Sequence, residues 1–326
     1  MQIPSTQTNH RAASTVRAMF CLLGALLLSA CASAFAEPPE RLVTVYTVQP
    51  EETLPEIGRR HGLGYVEVLA ANPGVHPFVP DVGSQVVLPT VHLPPNAPSD
   101  GVVVNVADMR LYQWQGEDAP RTYPIGIGRE ELTTPAGKTK IVKKAANPIW
   151  YPTPRMRRED PTLPRAVGPG PDNPLGTHAL YLDVDLLRIH GTNRPWGVGA
   201  RTSSGCVRLY PEDIPVLYER LPVGTPVYIV DQEVKADWHQ GGLYVEVHPA
   251  PDQADAIEFS RPFEPRLPKD LVRIVAEAAG ENATVDWDKV KEAGLKRLGY
   301  PVLVGIGTEP VSGAGQPPRL MASAAY

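Results

Sequence analysis

Residues 189–213 read Ile-His-Gly-Thr-Asn-Arg-Pro-Trp-Gly-Val-Gly-Ala-Arg-Thr-Ser-Ser-Gly-Cys-Val-Arg-Leu-Tyr-Pro-Glu-Asp. They hold the side chains best suited to covalent chemistry. His190 and Cys206 are sixteen positions apart, and the Gly and Pro between them allow a loop that folds back on itself. A thiol beside an imidazole is a nucleophile paired with a general base. Cys206 precedes a helix signal, in which Pro211 suits the first turn and Glu212 and Asp213 suit the positive end of the dipole. The spacing therefore places the thiol near helix-terminal N–H groups, which favour thiolate. Gly205 allows close backbone approach, and the amides of Ser204, Gly205 and Cys206 form a candidate oxyanion cradle.

Cysteine usage sharpens this reading. Of three cysteines, Cys21 and Cys31 lie in the first 36 residues, which read as an export signal. Arg11 and Arg17 precede an apolar run from Met19 to Leu28, and Ala34-Phe35-Ala36 is a small-x-small cleavage site. The competing box Leu28-Ser29-Ala30-Cys31 would instead lipidate Cys31 and anchor the protein to a membrane. Cleavage after Ala36 leaves Cys206 alone, so no internal disulfide can form. A buried structural thiol is the alternative reading of Cys206.

The elements that must position these residues are mainly β. Strand patterns run from Gly101-Val102-Val103-Val104 to Ile229-Val230, with one helix after Cys206 whose apolar face is Ile214, Leu217, Tyr218 and Leu221. Residues 43–90 form a small α+β unit of strand, helix, helix and strand. Thr53 caps its first helix and Pro55 suits the first turn. Residues 91–100 are a Pro-rich linker, 101–232 the catalytic domain, 233–305 an accessory region and 306–326 a disordered tail. The chain has 326 residues and a net charge of −5, which disfavours nucleic acid. No metal spacing occurs among its His, Cys and acidic residues, and no cofactor is implied.

The segment from His190 resembles the YkuD-type L,D-transpeptidase signature, His-Gly-Thr followed by Ser-x-Gly-Cys-x-Arg. The likeness extends over residues 101–231 and includes Thr134-Pro135-Ala136-Gly137 and the stretch 168–176. The overall arrangement is similar to the ErfK/YbiS group of the Gram-negative periplasm. Residues 43–90 resemble the LysM module at Tyr46-Thr47-Val48-Gln49-Pro50, Asn72-Pro73, Gly83 and Leu88-Pro89, with Glu51-Glu52 where that family has Gly-Asp. Ser204 stands where many transpeptidases carry His.

The resemblance implies attack by Cys206 on meso-diaminopimelate in a peptidoglycan tetrapeptide stem, release of D-alanine, and transfer of the thioester to an amine. In the favoured form the acceptor is the C-terminal lysine of an outer-membrane lipoprotein. Cross-linking of two stems, hydrolysis of the same bond, and non-catalytic wall binding through LysM are the alternatives. The Gly191 carbonyl would orient His190. Arg208 would hold a stem carboxylate or a structural ion pair. Ser203 would shape the loop or meet substrate, and Trp196 and Tyr210 would line the groove or the core.

Overall fold

The computed structural model describes Gln2 and residues 39–115, 118–281, 283–308 and 320–323. Apart from Gln2, the expected leader, including Cys21 and Cys31, lies outside the described residues. Among the described residues, no helix is long and apolar enough to cross a membrane.

The chain from Pro38 onward is one compact unit built around an eight-stranded sheet. Its strands are β4 (Val102–Asn105), β5 (Arg110–Gln115), β6 (Asp118–Pro124), β7 (Gly137–Ala146), β8 (His178–Leu182), β9 (Arg188–His190), β10 (Val207–Arg208) and β11 (Pro226–Val230). They lie in the order β10-β9-β8-β7-β11-β4-β5-β6. The pairs β10–β9 and β11–β4 are parallel and the others antiparallel. Val102, Val103 and Val104 are all buried, as expected of a central strand covered on both faces.

Helix α4 (Asp213–Arg220) seals one face through Ile214 and Leu217, which share a core with Ile141, Leu180, Ile189 and Val207. This helix begins well beyond Cys206, correcting the expectation that the thiol sits at its N-terminus. Arg208 exchanges both backbone hydrogen bonds with Gly126 (2.8 Å each) while Val207 and Arg208 pair with β9. The chain after Cys206 is therefore held extended and cannot be helical.

The N-terminal unit has β1 (Thr44–Thr47), α1 (Leu54–Arg60), α2 (Tyr65–Ala70) and β2 (Gln85–Leu88), with β1 and β2 antiparallel. The Thr53 hydroxyl accepts from the Glu56 amide and caps α1. This unit is fused to the sheet. Val66 lies in the main core, and Arg59 makes a bidentate ion pair with Glu212 (2.6 and 2.8 Å). The segment expected as a linker is packed as well: Leu93 is fully buried and β3 (Val91–His92) pairs with β16 (Met321–Ala322). Strand β15 (Val302–Gly307) reaches past residue 306, and residues 309–319 and 324–326 of the expected tail lie outside the described residues.

The region after the sheet has its own architecture. Strands β12 (Val234–His239), β13 (Gly242–Val247), β14 (Ala283–Val285) and β15 form a sheet in the order β12-β13-β15-β14. Helices α6 (Leu271–Ala279) and α7 (Trp287–Lys296) cover it through Leu271, Val275 and Val290, while Ala254 of α5 (Pro251–Glu258) joins the main core.

A buried charged network ties the three parts together. Lys235 Nζ lies 2.8 Å from Asp108 and 2.7 Å from Glu246, and Glu246 also meets His248 at 2.7 Å. Arg110, fully buried, donates to Glu67 of α2, to Thr122, to the Gly62 carbonyl and to Ser323. Burial alone would raise the Glu246 carboxyl, but Lys235 and His248 hold it well below the usual range. Asp108, Glu246 and His248 have metal-like proximity, yet the Lys235 ammonium already supplies their positive charge.

Candidate active site

His190 ends β9, and its register partner across the parallel pair is Arg208 of β10. Cys206 immediately precedes β10, and its thiol and the Arg188 guanidinium meet the same Leu186 carbonyl oxygen. Side chains alternate along a strand, so Ile189 and Val207 enter the core while Arg188, His190 and Arg208 share the opposite face. His190 and Arg208, eighteen positions apart in sequence, thus become neighbours through two short strands and the loop between them.

His190 is 4% exposed, and its Nδ1 lies 2.5 Å from the Gly191 carbonyl oxygen. A carbonyl only accepts, so Nδ1 carries the proton and Nε2 is left as the basic nitrogen. Burial, then the Arg208 guanidinium, lowers the imidazole to about 3; Arg188 adds to this and the Gly191 contact opposes it. His190 is therefore neutral near pH 7. Burial also lowers Arg208, with Cys206 pulling the other way. The half-buried Cys206 thiol donates to the Leu186 carbonyl at 3.2 Å.

The loop before the thiol is tightly specified. Ser203 is fully buried; its hydroxyl donates to the Cys206 carbonyl (2.6 Å) and accepts the Gly205 amide (3.1 Å). Gly205 has φ +104°, a conformation that favours glycine, and its carbonyl accepts from Thr134 Oγ1 at 2.9 Å. The Gly205 amide is thus committed to Ser203, which corrects its expected place in an oxyanion cradle. Ser204 is half-buried beside it.

Trp196 and Tyr210, each open between groove and core, divide. Tyr210 takes the core alternative: it is 4% exposed, donates to the Leu63 carbonyl (3.1 Å) and lies under Arg59. The N-terminal unit covers it, a long-range contact that sequence spacing does not show. Trp196 is 71% exposed on the short turn Pro195–Gly197, where it belongs to no core.

The N-terminal unit also grips the catalytic loop itself. The Tyr65 and Val66 amides at the start of α2 donate to the Val198 and Gly199 carbonyls at 3.2 and 2.9 Å. Gly199 has φ +78°, and a Cβ there would lie 2.1 Å from the Tyr65 nitrogen. No signal in the sequence pointed to this clamp. The sequence reading also passed over Arg188, whose place beside Cys206 at the Leu186 carbonyl appears only in the folded chain.

A family model described as the L,D-transpeptidase catalytic domain (YkuD) matches residues 99–229, which hold this whole constellation. The chain is 38% identical over 290 residues to the probable L,D-transpeptidase ErfK/SrfK of Salmonella typhimurium, covering 85% of this chain and 92% of that protein. It belongs to the L,D-transpeptidase family. The probable L,D-transpeptidase YbiS of Escherichia coli is 39% identical over 247 residues, covering 74% of this chain and 79% of its own length. The probable L,D-transpeptidase YcfS of the same organism is 34% identical over 300 residues, covering 87% and 92%. As a member of this family the chain is an enzyme, and its catalytic domain is the eight-stranded sheet with the 191–205 loop.

Proposed function

We propose that this transpeptidase is exported to the periplasm and acts on peptidoglycan tetrapeptide stems, with Cys206 as nucleophile and His190 as general base. The observation that carries the reading is the β9–β10 register, which pairs His190 with Arg208 and sets Cys206 immediately before β10. Neutral His190 takes the thiol proton at Nε2. The sulfur attacks the diaminopimelate carbonyl, a C–S bond forms, and the C–N bond to the terminal D-alanine breaks. The proton held by His190 goes to the departing amine. An acceptor amine then attacks the thioester, gives up its proton and restores the thiol. Arg208 favours the anionic sulfur through its charge. The Ser204 and Cys206 amides are left to cradle the oxyanion, since Gly205 is committed.

Residues 43–90 act as a LysM-type module on glycan strands, a role supported by their strand–helix–helix–strand order. The acceptor is the C-terminal lysine of an outer-membrane lipoprotein, in keeping with the likeness to the ErfK/YbiS group. Tetrapeptide muropeptides incubated with and without a lysine-ended peptide, followed by mass spectrometry, test both steps. The expected product is a stem joined to the peptide lysine, absent with Cys206→Ala. Stem–stem products or a free tripeptide would replace the acceptor assignment. Turnover by Cys206→Ala at the wild-type rate would overturn the nucleophile.

A further inference from the structure

Beyond the signature residues, the catalytic face carries a row of side chains leading away from Cys206. Arg188 of β9 pairs in register with Tyr181 of β8, and Tyr181 with Lys143 of β7. The Arg188 guanidinium lies 5.3 Å from the Tyr181 ring centroid and Lys143 Nζ lies 5.2 Å from it. The aromatic ring therefore holds two cations on one face of the sheet. Arg188 Nη1 donates to the Leu186 carbonyl at 3.1 Å, the same oxygen that accepts the Cys206 thiol at 3.2 Å. One carbonyl thus brings the guanidinium beside the nucleophile. The buried Arg188 Nε has no hydrogen-bond partner, although a buried donor ordinarily has one.

We propose that Arg188 binds the free C-terminal carboxylate of the donor stem and thereby selects donors whose scissile bond is the last one. The inference rests on the acyl-transfer reading above and names the substrate feature recognised. The leaving residue's carboxylate sits one peptide unit beyond the attacked carbonyl, and consecutive Cα atoms are about 3.8 Å apart. The Arg188 guanidinium, which shares the Leu186 carbonyl oxygen with the Cys206 thiol, is at that range. A donor longer by one residue carries its carboxylate a full unit further away and loses the contact. Guanidinium is suited to this task because it meets a carboxylate with paired N–H donors. Arg188 forms one wall of a recess of about 340 Å³ lined by residues 181–188. That recess also holds Asp183 and Asp185, so a multiply charged anion is disfavoured and a single carboxylate fits. Tyr181 and Lys143 act as positioning residues that fix the guanidinium plane.

The test uses the full chain with three synthetic donors of one sequence: a tetrapeptide acid, its C-terminal amide, and a pentapeptide acid. Wild type is expected to prefer the tetrapeptide acid over the other two by about tenfold or more in kcat/KM, the scale of one charge-assisted contact. Arg188→Gln is expected to bring that ratio toward one, and Arg188→Lys to restore part of it. Arg188 also lowers His190, but any change through His190 affects all three donors alike and cancels in the ratio. A wild type that turns over none of the donors overturns the transpeptidase reading itself. A wild type that uses acid and amide equally, or an Arg188→Gln enzyme that keeps the ratio, leaves that reading standing and overturns the role of Arg188. If Arg188→Gln folds poorly, Arg188→Lys carries the test, and a ratio there unchanged from wild type overturns the role of Arg188.

Discussion

Replacing Glu67 by Gln removes the counter-charge of a guanidinium that has no access to water. Arg110 is fully buried, and both Glu67 oxygens lie within 2.9 Å of its Nη1. Its remaining donors would keep Thr122, the Gly62 carbonyl and Ser323, but all of these are neutral. Leaving one member of a buried pair uncompensated costs about 3–5 kcal/mol. The neutral contacts that survive favour the lower end, about 3 kcal/mol. At roughly 2–4 °C per kcal/mol for a domain of this size, Tm falls by about 6–12 °C. Urea denaturation is the direct assay, with a lower midpoint and an unchanged m-value. Replacing the pair together, Glu67→Leu with Arg110→Met, is expected to recover most of the loss because no charge is then stranded. A Glu67→Gln protein within about 1 kcal/mol of wild type would refute the reasoning, since a buried charge cannot lose its partner so cheaply. Activity is a second readout. Glu67 also accepts the Gly64 amide (2.8 Å) at the start of α2, whose next two amides hold the catalytic loop at Val198 and Gly199.

Four further outcomes follow from the geometry. Deleting residues 43–90 is expected to abolish turnover even of small soluble stems, because the clamp on Val198 and Gly199 goes with them; full activity of the truncated chain would show the clamp to be dispensable. Asp213 is 1% exposed, with neither oxygen hydrogen-bonded, and burial, then Glu212, raises it to about 8. A raised carboxyl destabilises the fold progressively from about pH 4 to pH 8, so Asp213→Asn should gain stability over wild type as pH rises through that window, with equal stability at pH 8 as the contrary result. Acylation of Cys206 should hold steady between pH 7 and pH 5, since His190 stays neutral down to about 3, and Arg208→Gln should move the acid limb upward; an unmoved limb in stopped-flow acylation would remove Arg208 as its cause. A carbapenem should leave a stoichiometric adduct on the Cys206 peptide in intact-protein and peptide mass spectrometry, formed more slowly by His190→Ala, and equal rates would end the base assignment.

The sequence by itself determined the family and the mainly β class of fold. His190, Cys206 and Arg208 lie within nineteen residues, and the glycines and prolines around them announce a loop. The alternating strands from Gly101 to Val230 and the apolar face of α4 were legible because period and propensity are local properties. What lay beyond local reach was pairing. The parallel match of β9 with β10 put His190 across from Arg208, and a parallel register depends on backbone geometry that side-chain pattern does not encode. The extended path just after Cys206 was set by Gly126, beyond the end of β6, which delays the helix to Asp213. Residues 43–90 and 91–100 read as a detachable unit and its link because proline and polar residues mark a boundary in any chain. Only the folded chain places Glu67 on Arg110, Leu63 on Tyr210 and α2 on the catalytic loop. Those contacts join residues more than forty positions apart. Burying charge becomes tolerable only when its partner arrives from that distance, so tertiary structure alone could decide that the N-terminal unit is part of the active-site scaffold.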